Sequence, residues 1–176
     1  MDAVRLEVGF GGGEHLVAEA LREPRVGFIG VEPFLNGIGK IVSAIHERGL
    51  DRIRLHDDDA GALLDWVPPA SLSRVDVLYP DPWPKRRHWK RRFISERNLD
   101  RIARALRQGG ELRIASDLPE YIEWCLARTA ERSDFEWTAQ RADDWRQPWL
   151  HWPGTRYEAK ALREGRKPTY LVFRRT

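Results

Sequence analysis

Cysteine, clustered histidine and long apolar runs are scarce in this chain, and each scarcity narrows the range of functions. Cys125 is the one cysteine among 176 residues, so an internal disulfide is excluded and a reducing, cytoplasmic location is expected. The five histidines share no ligand spacing with Cys125, and no metal is expected. No apolar run approaches the roughly 20 residues of a membrane span, and no signal-peptide pattern is visible, so no membrane partner is expected.

A large net charge is missing as well. The chain carries 30 basic and 27 acidic residues, a net charge of +3, so any surface for nucleic acid must come from clustering. Positions 85–92 hold six cations and no acid. Arg163, Arg166, Lys167, Arg174 and Arg175 form a second candidate cluster. Basic runs are usually solvated loops, so these clusters indicate a function only where their surroundings support it.

Strand-like and helix-like patterns alternate along the whole length, which predicts one domain, 1–176, with a mainly parallel sheet. The expected strands are residues 4–8, 26–31, 53–56, 75–78, 111–115, 135–138 and 169–173. The expected helices are residues 14–22, 35–48, 60–66, 94–106 and 119–131, the fourth closed by two glycines. A long loop is expected over 142–168, and it contains several of the eight tryptophans. Most of the tryptophans are expected to pack in the protein interior, and some are expected to stack on RNA bases.

An acidic residue lies at the carboxyl end of each of the first three expected strands, where such sheets bind their ligands. Glu7 precedes a loop with Gly9, Gly11 and Gly13, whose backbone can approach a ligand closely. Glu14 stands where a dinucleotide fingerprint needs glycine, and a carboxylate at Glu7 suits a cationic ligand such as S-adenosylmethionine.

Two further acids complete this expected cofactor pocket. Glu32 is placed to accept the ribose hydroxyls, as an acid at the end of a second strand does. Asp59 is placed to receive the adenine amine, although a helix N-cap explains that residue equally well. Together the three strand ends predict an S-adenosylmethionine pocket.

The fourth expected strand runs into a proline-rich turn that carries one carboxylate and one indole. Pro82 and Pro84 disfavour helix at the preceding residues, which predicts that Asp81 and Trp83 lie in a stiff extended turn. We expect the cations that follow to contact RNA phosphates without reading sequence. These cations are Arg86, Arg87, Lys90, Arg91 and Arg92.

With these motifs in order, the chain resembles the bacterial tRNA (guanine-N7)-methyltransferases over nearly its whole length. The resemblance rests on Glu7, Glu32, Asp59, the run Pro-Asp-Pro-Trp-Pro-Lys-Arg-Arg-His at 80–88, Ser116-Asp117, Thr-Arg-Tyr-Glu at 155–158 and the segment 165–173. It implies a Rossmann-like class I methyltransferase fold: a mainly parallel seven-stranded sheet, helices on both faces and an antiparallel last strand. Family members usually carry several tens of residues ahead of the glycine loop, whereas this loop already starts at Gly9. We therefore expect the N-terminal extension of the family to be absent.

The resemblance also implies a reaction and a site. The reaction is methyl transfer from S-adenosylmethionine to N7 of guanine 46 in the variable loop of tRNA, by a monomer or a homodimer. Asp81 is implied to be catalytic and close to the cofactor. The other implied cofactor-binding residues are Glu7, Gly9, Gly11, Gly13, Glu32 and Asp59. The implied substrate-binding residues are Lys85, Asp117, Thr155, Arg156, Tyr157 and Glu158.

Other classes of protein remain open at this level. A nicotinamide-dependent reductase would use a similar fold, but Glu7 and Glu14 argue against dinucleotide binding. A catalytically impaired RNA-binding relative would keep the basic run, yet it has no reason to keep four acids in its pocket. A methyltransferase acting on another RNA, a small molecule or a protein would fit the pocket, and the last two leave the basic run unexplained. Asp117 is also compatible with a plain helix N-cap.

Overall fold

A seven-stranded sheet organises the computed structural model, which describes residues 2–176. The strands are β1 (Ala3–Val8), β2 (Val26–Val31), β3 (Ile53–His56), β4 (Leu72–Leu78), β5 (Leu106–Ser116), β6 (Phe135–Trp137) and β7 (Thr169–Arg175). Their order is β3-β2-β1-β4-β5-β7-β6, and β7 runs antiparallel to both of its neighbours while the first five strands are parallel. This is the expected class I methyltransferase architecture.

Helices cover both faces of the sheet and bury its apolar strands. They are α1 (Glu14–Arg22), α2 (Leu35–Arg48), α3 (Ala60–Trp66), α4 (Glu96–Ala105), α5 (Pro119–Ala130), α6 (Asp143–Arg146) and α7 (Arg156–Arg163). A 3₁₀ helix, Arg86–Arg91, follows the proline-rich turn. One apolar cluster centres on Leu112 and Ile114, and a second centres on Phe28 and Ile41. Near-continuous burial along β2 and β4 is what a sheet covered on both faces requires.

The strand order reverses between β1 and β4, and this reversal places the site. The connections from β1 lead to β2 and β3 on one side, whereas β4 and β5 lie on the other. The carboxyl ends of β1 and β4 therefore diverge into loops that leave a crevice between them. The glycine loop and the proline-rich turn are these two loops.

Two expectations about element boundaries were wrong. Helix α4 ends at Ala105, and β5 begins at Leu106, ahead of the two glycines expected to close the helix. Gly109 has φ 74°, and the register of β4 against β5 shifts between Leu72 and Arg74, so the glycines form an irregular part of a strand. The expected loop over 142–168 contains α6 and α7, whose short lengths hide their periodicity. Over residues 2–176, no helix is both long and apolar enough to cross a bilayer.

Candidate active site

A cleft of about 390 Å³ opens at the carboxyl ends of β1, β2 and β4. Its lining from the described residues includes four carboxylates, those of Glu32, Asp58, Asp59 and Asp81, against the single cation Arg91. Backbone or apolar parts of Gly9, Leu78, Tyr79, Trp83, Phe93 and Tyr157 complete much of the wall. The cleft therefore presents a negative potential and aromatic surface to whatever binds there.

The glycine loop lines this cleft through Gly9, while Gly11 and Gly13 lie outside the lining, and Glu32 holds the loop in place. Gly9 and Gly11 have φ of 71° and 58°, in the left-handed region that favours glycine. The Glu32 carboxylate accepts hydrogen bonds from the Gly11 N–H at 2.8 Å and the Phe34 N–H at 3.1 Å. A carboxylate offers about four acceptor positions, so Glu32 still has capacity for ligand hydroxyl groups.

Asp59 caps a helix and also lines the cleft. Its Oδ1 accepts the Ala62 N–H at 2.8 Å and caps the start of α3, while its side chain also lines the cleft. Asp58 lies beside it and accepts the Asp59 N–H at 2.7 Å. Capping engages one oxygen of Asp59, so the second oxygen remains available to a ligand amine.

Glu7 lies deeper than the other predicted cofactor-binding acids and does not line the cleft. Its carboxylate contacts Nδ1 of His15 at 2.6 Å, and both side chains are buried. Burial raises the pKa of the Glu7 carboxyl, against the opposing effect of His15. Burial alone would lower the pKa of His15, but the charge and hydrogen bond of Glu7 raise it overall. This pair anchors the base of the glycine loop.

Asp81 stands at the rim of the cleft in a strained turn. Tyr79 and Trp83 have φ of 50° and 43°, in the left-handed region that non-glycine residues rarely adopt. The expectation of an extended Trp83 was therefore wrong: proline disfavours the right-handed helical region for the preceding residue, but Trp83 escapes into the left-handed one. These two residues flank Asp81, whose side chain is exposed and lines the cleft.

The basic run forms the 3₁₀ helix beside this turn, and most of its cations are exposed. Arg86, Arg87, Lys90 and Arg91 present their charges to solvent, and Arg91 also stacks over Trp83 at 4.9 Å from the ring centre. Lys85 is exposed at the start of this helix and does not line the cleft. Four of the five predicted phosphate contacts are thus accessible to RNA.

The prediction that Arg92 contacts phosphate was wrong. Arg92 is 3% exposed; it donates to the Pro82 carbonyl at 2.8 Å and to Glu120 at 2.7 Å. Its guanidinium also lies 4.8 Å from the ring centres of Trp89 and Trp124. Arg92 connects the proline-rich turn to α5, so its charge stabilises the fold and is not available to RNA.

The segment 155–158 serves first as the start of α7. The Thr155 hydroxyl accepts the Glu158 N–H at 3.1 Å, which is an N-cap, and the Glu158 side chain is buried. Glu158 accepts hydrogen bonds from Trp152 Nε1 at 2.7 Å and from the Tyr170 hydroxyl. Arg156 and Tyr157 are the exposed members, and Tyr157 reaches over the glycine loop into the cleft lining.

Asp117 lies apart from the cleft lining and is paired. It follows β5, and its carboxylate accepts a hydrogen bond from Arg166, which also contacts Glu164. Helix α5 has Leu118 as its N-cap residue, so Asp117 does not cap it. Its predicted substrate role stays a prediction.

Sequence reasoning missed several residues of the cleft. Tyr79, Phe93 and Asp58 line it. No motif in the chain distinguishes these residues from packing positions, because their proximity depends on loops that are remote in sequence. Asp58 had a signal, since it belongs to an acidic triplet in which the sequence favoured Asp59.

The cleft fits S-adenosylmethionine in shape and charge. A Cβ added to Gly9 would meet no atom within 4 Å, so the space above the loop is open to a ligand. Four carboxylates and aromatic walls suit a ligand with a sulfonium, an ammonium and an adenine. Within residues 2–176, no group of three or more His, Cys, Asp or Glu side chains is arranged to hold a metal ion.

Comparisons with known proteins agree with this description. A family model described as "Putative methyltransferase" matches residues 2–171. Among solved structures, the 16S rRNA methyltransferase KamB superposes with a TM-score of 0.72 at 18% identity, covering 99% of this chain and 88% of KamB. The fold and the cleft thus define a methyltransferase of the Rossmann-like class.

The particular family follows from the curated relatives. The tRNA (guanine-N(7)-)-methyltransferase of Mesorhizobium japonicum is 57% identical over 173 residues, which cover 98% of this chain and 74% of that protein. The enzyme of the same name from Chelativorans sp. is 58% identical over 170 residues, 97% of this chain and 73% of that protein. The chain belongs to the tRNA (guanine-N7)-methyltransferase family.

Proposed function

We propose that this protein transfers the methyl group of S-adenosylmethionine to N7 of a guanine in the variable loop of tRNA. The observation that carries the proposal is the acidic cleft with Asp81 at its rim, directly beside a 3₁₀ helix of exposed cations. The cleft suits a cationic methyl donor, and the helix suits a polyanion. The choice of guanine and tRNA as the substrate follows from the family to which the chain belongs.

The residues of the site act by position and charge. When bound, S-adenosylmethionine supplies an electrophilic methyl group. Guanine N7 carries a lone pair and no proton, so the chain needs no general base before attack. Asp81 accepts hydrogen bonds from the guanine N1–H and amino group and stabilises the positive charge that develops on the purine. The strained backbone on both sides holds its carboxylate in that orientation.

The remaining site residues hold the two substrates. Glu32 and Asp59 bind the ribose and adenine of the cofactor over the glycine loop, while Glu7 sets the loop from below. Arg86, Arg87, Lys90 and Arg91 contact tRNA phosphates, and Lys85 holds a phosphate or the base. Arg156 and Tyr157 close over the substrate, with Thr155 and Glu158 fixing α7 beneath them. Asp117 contacts the substrate once its partner Arg166 has moved away to bind a tRNA phosphate.

We further propose that residues 1–176 act as one catalytic domain in the cytoplasm, as a monomer or a homodimer. Sedimentation of the active protein with and without tRNA measures the stoichiometry. A third or fourth copy in the active species would contradict this part of the proposal.

The first experiment is transfer of labelled methyl from S-adenosylmethionine to unmodified tRNA, followed by cleavage at 7-methylguanine. Label at one variable-loop guanine is the expected result. The matched variants are Asp81→Asn, which loses the rim carboxylate, and Asp57→Asn, an exposed acid outside the cleft lining. We expect kcat to fall about 100-fold or more in the first and to remain unchanged in the second. Near-normal turnover of Asp81→Asn would refute the catalytic assignment.

A further inference from the structure

A second cleft, of about 680 Å³, is formed by the C-terminal segment, and it shares no lining residue with the cleft of the active site, called the cofactor cleft from here on. It opens between α6, the end of α7 and the start of β7. The side chains that matter here are Trp145, Arg146, Leu162, Lys167, Thr169 and Tyr170. We call it the basic cleft.

The basic cleft has the opposite charge from the cofactor cleft. Its lining from the described residues includes the cations Arg146 and Lys167 and no carboxylate. Glu164, the carboxylate nearest in sequence to Lys167, is already paired with Arg166, which also contacts Asp117. Within residues 2–176, neither Arg146 nor Lys167 forms an ion pair. Two unneutralised cations in a concave surface favour an anionic ligand.

A planar platform stands beside these charges. The Arg146 guanidinium lies 4.7 Å from the ring centre of Trp145, and Trp145 packs against the main apolar core. Trp145 is partly buried, so packing restricts its indole, and the planar Arg146 guanidinium lies against that ring. Unpaired RNA bases stack on such aromatic and guanidinium planes. The apolar side chain of Leu162, 58% exposed, covers the opposite wall.

A shared aromatic wall joins the basic cleft to the cofactor cleft. Tyr170 lines the basic cleft, and Tyr79 lines the cofactor cleft. Both belong to one apolar cluster, in which Tyr170 is buried and Tyr79 is partly buried. The partly buried rings of Trp149 and Trp152 contact Tyr170 edge-on at 5.5 and 5.9 Å between centres. The two clefts are therefore connected through one aromatic cluster, so a single RNA strand that binds the cofactor cleft passes near the basic cleft.

We propose that the basic cleft binds a second, unpaired nucleotide of the tRNA, separate from the guanine that is methylated. Arg146 and Lys167 hold its phosphate, and its base rests on the plane that Arg146 and Trp145 form. This subsite rests on the proposed function, because it positions the same RNA. It acts on tRNA binding and has no contact with the cofactor.

The test compares two double variants in tRNA binding, S-adenosylmethionine binding and methyl transfer. Arg146→Ala/Lys167→Ala removes both cations, and Arg48→Ala/Arg107→Ala removes two exposed cations outside both clefts as the control. We expect the first to raise the Kd for tRNA roughly tenfold and to lower the salt slope by about 1 to 2. KM for tRNA rises with Kd, while kcat and the Kd for S-adenosylmethionine stay at their wild-type values. The control keeps all of these values.

A second variant separates the platform from the charge. Arg146→Lys keeps the cation and loses the plane, so affinity for tRNA falls while the salt slope remains. Equal tRNA affinity in both double variants, with active wild-type enzyme, would overturn the subsite. A change in oligomeric state alone would assign the cleft to a second copy of the chain and overturn it as well. A wild-type protein that methylates no tRNA would instead refute the proposed function, so the two failures are distinguishable.

Discussion

The buried carboxylate of Glu158 gives the sharpest prediction about how the C-terminal segment is held. Its two oxygens accept hydrogen bonds from Trp152 Nε1 and the Tyr170 hydroxyl, and the side chain is 8% exposed. Glu158→Met keeps the approximate volume and leaves both donors unpaired. Each buried unpaired donor costs about 1 to 3 kcal/mol, so the free energy of unfolding falls by roughly 4 kcal/mol. The melting temperature of a chain of this length then falls by about 8 to 16 °C.

Glu158→Gln is the matched control, because it keeps the shape of the side chain and removes only its charge. The amide oxygen still accepts from Trp152, and the Tyr170 hydroxyl turns to accept from the amide nitrogen. The loss is then mainly the strengthening by charge, about 1 kcal/mol or 2 to 4 °C. Thermal unfolding of both variants, with the exposed Glu47→Gln as a control within about 0.5 kcal/mol, is the assay. Similar melting temperatures for the Met and Gln variants, with both inactive, would refute this reasoning and make Glu158 a direct substrate contact.

Two further predictions concern the cofactor loop and its buried support. A Cβ at Gly37 would lie 2.2 Å from the Gly11 carbonyl oxygen, whereas one at Gly39 meets nothing within 4 Å. Gly37→Ala therefore displaces the glycine loop and weakens S-adenosylmethionine binding at least tenfold, as measured by calorimetry. Gly39→Ala preserves binding and stabilises the protein by about 0.5 to 1 kcal/mol. Equal affinities of the two variants would contradict the close approach of Gly37 to Gly11. Although burial opposes it, Arg74 and its hydrogen bond lower the pKa of Glu19 from 4.5 to about 2. A lowered carboxyl pKa gives stability that is present above pH 4.5 and lost as the pH falls toward 2, about 3 kcal/mol here. In Glu19→Gln, the free energy of unfolding measured in urea should lose most of its dependence on pH in this range. A pH profile of stability equal to that of the wild type would contradict the assignment to Glu19.

The boundaries of the early elements were predictable because each has a local signal. Strand β2 (Val26–Val31) and helix α2 (Leu35–Arg48) begin and end where the sequence placed them. The apolar run of β2 and the glycine that follows α2 are contained in the segments themselves. The end of α4 was not predictable in this way, because pairing of Leu106 with Leu72 extends β5 back over residues that resemble a helix terminus. Tertiary pairing there overrides local propensity.

The chemical content of the site was determined by the sequence itself. The acids of the first four strand ends, the glycine loop and the proline-rich basic run are local patterns, and the alternation of strands and helices brings their strand ends to one edge. Only the tertiary structure decided which side chains remain available to ligands. Arg92 is buried beneath the tryptophans of α5 and of its own segment, and Glu7 lies against His15 below the cleft. The basic cleft likewise exists only where α6, α7 and β7 meet. Burial and pairing depend on what the rest of the chain places beside a residue, and a linear motif does not contain that information.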